Sequence, residues 1–240
     1  MRIRDALRKI FVPRLCVICR DAVSQDAKEP ICEECLEDWQ ALLKMKCVTC
    51  GRDKDKCTCL PSQIREIYHS VAVWCMFYDT RCAKSVRKFF FRIKRDYTKP
   101  LIRFVAEKMA KAIIVATRSR GINYKDFAIT YVPRRPISVL IYSFDHAKKI
   151  AEQIGKILDL PVVSALSNKS RLEQKNLNKK ERKENASKSF YLKKGFESKH
   201  NKYFLVDDIM TSGSSMRACA RLLYGIGAEA VIPVTFAKDN

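Results

Sequence analysis

A strand, two adjacent carboxylates and a loop of small residues follow one another between Tyr203 and Ser215, in the order YFLVDDIMTSGSS. The carboxylates are Asp207 and Asp208, and the loop comprises Thr211, Ser212, Gly213, Ser214 and Ser215. Backbone N–H groups of such a loop at the start of a helix favour a phosphate, and glycine allows close approach. Paired acceptors at the end of a strand suit ribose hydroxyls. The order predicts a sugar-phosphate site; the alternative is a buried strand whose acids cap the next helix.

Most of the eleven cysteines lie in four close pairs near the start of the chain. The pairs are Cys16 and Cys19, Cys32 and Cys35, Cys47 and Cys50, and Cys57 and Cys59. Two such knuckles complete a tetrahedral zinc site, whereas disulfides would need an oxidising compartment. The spacing predicts two structural zinc ions and leaves open whether the pairs combine sequentially, which we favour, or interleave. Either the module has only a structural role, in which zinc stabilises the local fold, or it also binds a partner protein or nucleic acid.

The chain is strongly basic, with 47 Lys and Arg against 26 Asp and Glu and a formal net charge of +21. Loading two four-cysteine zinc sites lowers this charge only to about +17. Such a field favours nucleic acid as the partner; the alternative is a basic protein that is merely soluble. Basic residues interleaved with phenylalanines in a helical pattern after residue 80 are the candidate nucleic-acid-binding residues: Arg87, Lys88, Arg92, Lys94 and Arg95.

A chain of 240 residues has room for one ordinary domain and a smaller module. Leu60, Pro61 and Ser62 form a plausible boundary, which predicts a cysteine-rich module over 1–61 and a second domain over 62–240. Apolar runs of about eighteen residues, the length that would span a membrane, are not found. The opening MRIRDALRKIF lacks the apolar core of a signal peptide. We therefore expect a cytoplasmic protein without a transmembrane segment.

Predicted strands and helices alternate along the second domain. Strands are expected over 71–78, 126–133, 162–166, 203–206 and 231–236, and helices after residue 80 and over 101–118, 145–158 and 214–224. The stretch 167–189 is basic, lacks an apolar stripe and is predicted to be a mobile loop. This alternation predicts an α/β fold with a mostly parallel sheet flanked by helices, preceded by a small zinc-ribbon-like module.

The acidic pair and its loop resemble the signature loop of type I phosphoribosyltransferases. Cysteine knuckles followed by such a domain resemble the ComF family, which is associated with DNA uptake, over nearly the whole chain. The motifs that carry this likeness are Val132-Pro133-Arg134-Arg135, Tyr142-Ser143-Phe144-Asp145-His146, and the series Gln174, Leu177, Arg182, Asn185 and Phe190. Tyr142-Ser143 stands where the family has Arg-Gly, and Asp145 where it has Asn.

The resemblance implies a protein that binds phosphoribosyl pyrophosphate with magnesium and single-stranded DNA, in DNA uptake or processing. Asp207 and Asp208 would orient the ribose, and the loop Thr211 to Ser215 would hold its phosphate. Residues Pro133, Arg134 and Arg135 would meet the pyrophosphate, or form a solvated turn. Arg182 would be the cation of a closing loop, or contact nucleic acid. The alternative is an active phosphoribosyltransferase of nucleotide salvage without a DNA role; whether the chain catalyses turnover stays open.

Overall fold

The computed structural model describes residues 14–67, 71–79, 81–96, 98–169 and 189–240. The cysteine-rich segment is built from short elements: strands β1 (Arg14–Leu15) and β2 (Ala22–Val23), helix α1 (Glu33–Leu43), a 3₁₀ turn (Lys54–Lys56) and helix α2 (Ser62–Arg65). β1 and β2 pair antiparallel. Little of this segment is regular structure, as expected where cysteine knuckles rather than a large core set the conformation.

Longer strands and helices alternate after residue 71. They are β3 (Val73–Tyr78), α3 (Lys84–Arg95), α4 (Lys99–Arg118), a 3₁₀ turn (Tyr124–Asp126), β4 (Ala128–Tyr131), α5 (Pro136–Tyr142), α6 (His146–Leu158), β5 (Leu166–Asn168), β6 (Phe190–Leu192), β7 (Lys202–Met210), α7 (Ser214–Tyr224) and β8 (Ala230–Asp239). Within the described ranges, none of the helices is at once long and apolar enough to cross a bilayer.

The central sheet has the strand order β3-β8-β7-β4, and every neighbouring pair in it is parallel. Alternate residues of β7 face opposite layers of helices, as strand geometry requires. Phe204 and Val206 pack with α3, α4 and α6, whereas Tyr203 and Leu205 pack with α7. The predicted α/β fold with a mostly parallel sheet between helices is therefore confirmed.

Helix α3 buries the apolar face that its sequence predicts, but not all of its basic residues face outward. Arg92 is only 7% exposed, and its guanidinium donates to the carbonyl oxygens of Val17 at 2.9 Å and Ile18 at 3.1 Å. It also pairs with Asp96 at 3.0 Å. The prediction that Arg92 contacts nucleic acid is wrong, because its charged end satisfies buried carbonyls of the cysteine-rich segment.

Helix α1 joins the cysteine-rich segment to the main core. Trp39 is buried, and its ring lies 5.3 Å from that of Phe89, 5.4 Å from that of Phe104 and 6.3 Å from that of Phe236. The division into 1–61 and 62–240 stays a prediction. The aromatic cluster around Trp39 contains side chains from both sides of residue 61. The two parts therefore share buried apolar surface.

Two elements differ from the sequence-based expectation. Helix α5, which begins with Pro136, was not predicted, although proline suits the first turn of a helix. The strand expected over 162–166 is reduced to a bridge between Val162 and Ile129, and β5 begins only at Leu166. The reason is that β5 pairs antiparallel with β6, a partner beyond the basic stretch. Most of the predicted mobile loop, residues 170–188, lies outside the described residues.

Replacing Arg92 by alanine should destabilise the protein by about 2–3 kcal/mol, because the carbonyl groups of Val17 and Ile18 lose their buried donor. Urea unfolding measures this change. Arg103→Ala is the matched control, since the Arg103 side chain is 74% exposed, and it should change the free energy of unfolding by no more than about 0.5 kcal/mol. Equal effects of the two substitutions would contradict the structural role of Arg92.

Candidate functional site

The acid pair, Asp207 and Asp208, lies where β4 and β7 separate. The amide of Val132, just beyond β4, donates to the carbonyl oxygen of Val206 at 2.9 Å. β7 continues to Met210, beyond its predicted end at residue 206, because β8 stays paired with it. The acid pair therefore faces the gap left by the departing β4 chain, near the carboxyl end of the sheet, where α/β folds bind ligands.

Asp208 is a buried carboxylate held between two cations. It is 5% exposed, and its Oδ2 lies 3.5 Å from Nε2 of His146 and 3.6 Å from Nζ of Lys94. Its Oδ1 accepts a hydrogen bond from the Ile209 amide at 2.8 Å. Burial alone would raise the pKa of Asp208, but the charges of His146 and Lys94 outweigh it and hold the pKa well below its usual range. Asp208 is therefore ionised.

The pKa values of His146 and Lys94 are raised for the reciprocal reason, which favours their charged forms. Burial lowers the pKa of His146, but Asp208 outweighs burial and raises it above its usual value. Asp208 likewise raises the pKa of Lys94. His146 is the first residue of α6, which Asp145 caps by accepting from the Lys148 amide at 3.1 Å. Nδ1 of His146 is buried and has no partner among the described residues, so a protonated ring has one donor left for a ligand.

Asp207 behaves differently from its neighbour. Burial and the adjacent charge of Asp208 raise the pKa of Asp207 to about 8. Its Oδ1 accepts from the Asp208 amide at 2.9 Å, which fixes the orientation of the carboxyl group. Asp207 and Asp208 bring one oxygen each to within 4.8 Å of the His146 ring nitrogen. The raised pKa favours the protonated form of Asp207, and binding of a cation or of hydroxyl donors would favour the carboxylate.

The loop after β7 has the geometry expected of an anion cradle. Thr211 and Ser212 are exposed, and the hydroxyls of Ser212 and Ser214 lie 3.0 Å apart at the start of α7. Gly213 adopts the left-handed conformation, with φ of 78°, and caps the helix. A Cβ atom there would lie 2.6 Å from Cγ1 of Ile64 on α2. Glycine is therefore required both by its backbone conformation and by the contact with α2.

The segment predicted to meet pyrophosphate, Pro133 to Arg135, follows β4 beside the acid pair. Arg134 makes several contacts within the protein. Its guanidinium donates to the carbonyl oxygen of Lys94 at 2.7 Å and lies 4.4 Å from the Tyr142 ring centroid. Its amide donates to Oδ2 of Asp145 at 2.9 Å. Pro133 and Arg134 border a cavity of about 610 Å³. These contacts hold the loop in place, and its role toward pyrophosphate stays a prediction.

The other predicted residues lie in three places. Arg135 and Ser215 are half-buried near the loops just described. Arg87, Lys88 and Arg95 are exposed on α3, away from the apolar face of that helix. Lys94, which the sequence assigns to nucleic acid, instead directs its ammonium to Asp208.

Part of the predicted site lies outside the described residues. This is the case for the candidate loop cation Arg182, the further candidates Arg171 and Lys175, and the motif residues Gln174, Leu177 and Asn185. Phe190 is described and is buried at the start of β6.

Sequence reasoning missed the roles of His146 and Lys94 as partners of Asp208. A signal for His146 was present: it follows the helix-capping Asp145 at the start of a helix that crosses from β4 toward the strand of the acid pair. Helices of parallel βαβ units begin at the carboxyl edge of the sheet, so the first residue of α6 had to lie near that edge. Lys94 carries no comparable signal, because only the packing of α3 brings it there.

The eight paired cysteines form two clusters. In each, the four sulfur atoms lie within 4.8 Å of one another. The first cluster comprises Cys16, Cys19, Cys32 and Cys35, and the second comprises Cys47, Cys50, Cys57 and Cys59. The grouping is therefore sequential, as we favoured, and not interleaved.

The chemistry of both clusters fits zinc. Cys50 and Cys57 have sulfurs 3.8 Å apart, close to the roughly 3.8 Å expected for tetrahedral ligands at a Zn–S distance of about 2.3 Å. The pKa of the first cysteine of each cluster is lowered, which favours the thiolate. Burial would raise the pKa of Cys47, but backbone donors at Cys50 and Thr49 outweigh it and lower the pKa to about 6. The pKa of Cys16 is lowered in the same way.

Residues 137–240 match the family model of the phosphoribosyl transferase domain. This range contains His146, the acid pair and the loop that opens α7. The chain therefore carries a phosphoribosyltransferase-type domain. No curated protein matches the chain. Two similar solved structures are the glutamine and the asparagine mutant from an analysis of an invariant aspartic acid in HPRTs. Each is 11% identical, has a TM-score of 0.33 and covers 58% of this chain, and the matches cover 76% and 74% of those chains.

Replacing Cys57 by serine should remove the metal from the second cluster, because a hydroxyl is a much poorer zinc ligand than a thiolate. Mass spectrometry of the intact protein should show about one zinc ion per chain instead of about two, and amide exchange should rise across residues 47–60. Cys82→Ser is the control, since Cys82 belongs to neither cluster. An unchanged zinc content in Cys57→Ser would rule out the metal site.

Proposed function

We propose that the protein binds phosphoribosyl pyrophosphate at the carboxyl end of β7. The single observation that carries this proposal is the acid pair placed directly before the glycine-capped loop of α7. In this arrangement the loop from Thr211 to Ser215 holds the 5′-phosphate through backbone amides and hydroxyls. Asp207, the less buried of the two acids, accepts hydrogen bonds from the ribose hydroxyls.

The donor set also fits magnesium, which prefers carboxylate and phosphate oxygens. Asp207 is the carboxylate available for this role, because Asp208 is already neutralised by His146 and Lys94. Magnesium, when bound, supplies positive charge that stabilises the leaving pyrophosphate. The two resident cations behind Asp208 keep that carboxylate ionised whether or not a ligand is present.

The chemistry that this site supports is substitution at the anomeric carbon of the ribose. The bond between that carbon and the pyrophosphate oxygen breaks, pyrophosphate leaves with the electron pair, and a nucleophile forms the new bond. Nδ1 of His146, which has no partner among the described residues, adds one donor when the ring is protonated. An active phosphoribosyltransferase that serves nucleotide salvage is the alternative to a ligand-binding protein with a role in DNA handling.

The combination of a cysteine-rich module with this domain favours a ComF-like role in DNA uptake or processing. A specific surface supports single-stranded DNA as the second ligand. Phe91 on α3 is 52% exposed, and the Arg95 guanidinium lies 4.3 Å from its ring centroid. Arg87 and Lys88 are exposed one turn earlier. An exposed aromatic ring beside several cations suits stacked bases and a phosphate backbone.

The affinity for phosphoribosyl pyrophosphate with magnesium should rise about tenfold between pH 7 and pH 9, because ligand binding requires Asp207 to lose a proton whose pKa is about 8. Above pH 9 the carboxylate is already formed and the affinity should level off. Asp207→Asn should bind more weakly and lose this pH dependence. Calorimetric titration at several pH values measures both effects.

Asp159→Asn is the control for this experiment, because the Asp159 side chain is 98% exposed and pairs with Lys125 on the surface. It should bind like the unmodified protein at every pH. A pH dependence that survives in Asp207→Asn would show that another group titrates, and unchanged affinity in this variant would remove the acid pair from the site.

Binding of a labelled oligothymidylate should weaken when Lys88 and Arg95 are both replaced by glutamine. Two lost phosphate contacts should reduce the slope of log affinity against log salt concentration by about 1.4. Lys156→Gln, on the exposed face of α6, should leave the slope unchanged. A salt slope that is the same in all three proteins would exclude α3 as the nucleic-acid surface.

A further inference from the structure

The sheet ends at one side in a strand whose edge is open. β3 is the last strand of the order β3-β8-β7-β4 and pairs with β8. Within the part of the chain that the structure describes, the backbone between Val73 and Phe77 is hydrogen bonded only to β8. The side chains of this stretch are buried on both faces of the sheet. Among the described residues the outer edge of β3 keeps unpaired backbone donors and acceptors, and the turn Lys54–Lys56 lies beside it.

A groove runs along this edge. Five consecutive residues, Ala72 to Met76, line a cavity of about 410 Å³, as expected when the backbone of a strand forms its wall. The facing wall is a stripe of α4 at helical spacing from Lys108 to Ala116, followed by Ser119 and Arg120 just beyond the end of the helix. From Lys108 to Ala116 the helix rises about 12 Å, and from Ala72 to Met76 the extended chain spans about 13 Å. The two walls therefore match in length, and the groove accommodates an extended segment of about five residues.

The lining of the groove carries more positive than negative charge, which favours an acidic occupant. Its lining contains four cations, Lys54, Lys108, Lys111 and Arg120, against the single carboxylate of Asp55.

Part of this positive charge is already compensated. Lys108 pairs with Glu29, and Lys54 with Asp55 at 2.6 Å. Lys111 has no partner among the described residues. Between the charges, Val115 of α4 is 53% exposed and Leu43, at the end of α1, is 49% exposed. The lining thus combines positive charge with apolar contact.

We propose that this groove binds an extended acidic segment of a partner protein, which adds to the sheet as a strand beside β3. The unpaired backbone of β3 supplies the hydrogen bonds, and the cations of the groove recognise acidic side chains of the segment. Val115 and Leu43 contact apolar side chains that alternate with the acids.

Two other occupants fit less well. A second copy of this chain would bring two equally basic grooves together, and like charges across an interface oppose association. A nucleic acid would satisfy the cations but lacks the regular backbone amides that pair with a strand edge. An acidic peptide satisfies the charge and the strand edge at once.

The test uses a fluorescent, end-blocked peptide of alternating glutamate and valine, five residues long. Fluorescence anisotropy with the full chain should show binding that is at least about tenfold tighter than that of a lysine–valine peptide. Methylation of the peptide's backbone nitrogens, which removes its N–H donors but keeps its charge, should weaken binding about tenfold. Amide exchange of residues 73–77 should slow when the peptide is bound.

Lys111→Glu should reduce the affinity for the acidic peptide about tenfold, because it reverses a charge in the groove. Arg118→Glu is the matched control on the same helix, since Arg118 is exposed but does not line the groove. Equal affinity of both variants, unchanged binding of the methylated peptide, or no binding at all would overturn the proposal. Displacement of the peptide by an oligothymidylate would assign the groove to nucleic acid instead and would also overturn it.

Discussion

The buried charge of Asp208 is the constraint on which the candidate site depends. A carboxylate that is removed from water and left alone would be strongly unfavourable, and His146 and Lys94 provide the compensation. These three residues come from β7, the start of α6 and α3, which are far apart in the chain. Packing of both helices on the sheet is therefore linked to the charge state of the site, and Asp207 is left as the acid that responds to a ligand.

The chain directly after the cysteine clusters also contributes to this site, although no cysteine belongs to it. Ile64 of α2 contacts Gly213, and Glu66 pairs with Arg217 of α7 at 2.6 Å. On the opposite layer, Arg92 binds carbonyl groups of the cysteine-rich segment beside Cys16. Zinc in the two clusters would thus stabilise surfaces that hold α3 and α7 in place. Metal ions in the clusters would therefore act on the site indirectly, by stabilising the fold around the acid pair.

Much of the central domain follows from local sequence pattern. Helix α4 buries Ile102, Val105 and Met109 as the helical spacing predicts, and the ends of α7 agree with the expectation. The pattern failed where pairing partners decide the structure. β7 extends to Met210 because β8 continues beside it, and β5 forms at Leu166 because β6 returns to it. The β-propensity of one segment contains no information about which other strand will pair with it.

The sequence by itself determined the cysteine knuckles, the alternation of strands and helices, and the acidic pair followed by a glycine loop, because each is a short-range pattern with one favoured local geometry. Tertiary structure alone decided that the knuckles combine sequentially and that Lys94 and His146 converge on Asp208. It also decided that Arg92 points inward. The physical reason is that a long basic side chain has the same local preferences whether it meets water, a carbonyl group or a carboxylate, and only packing selects among them.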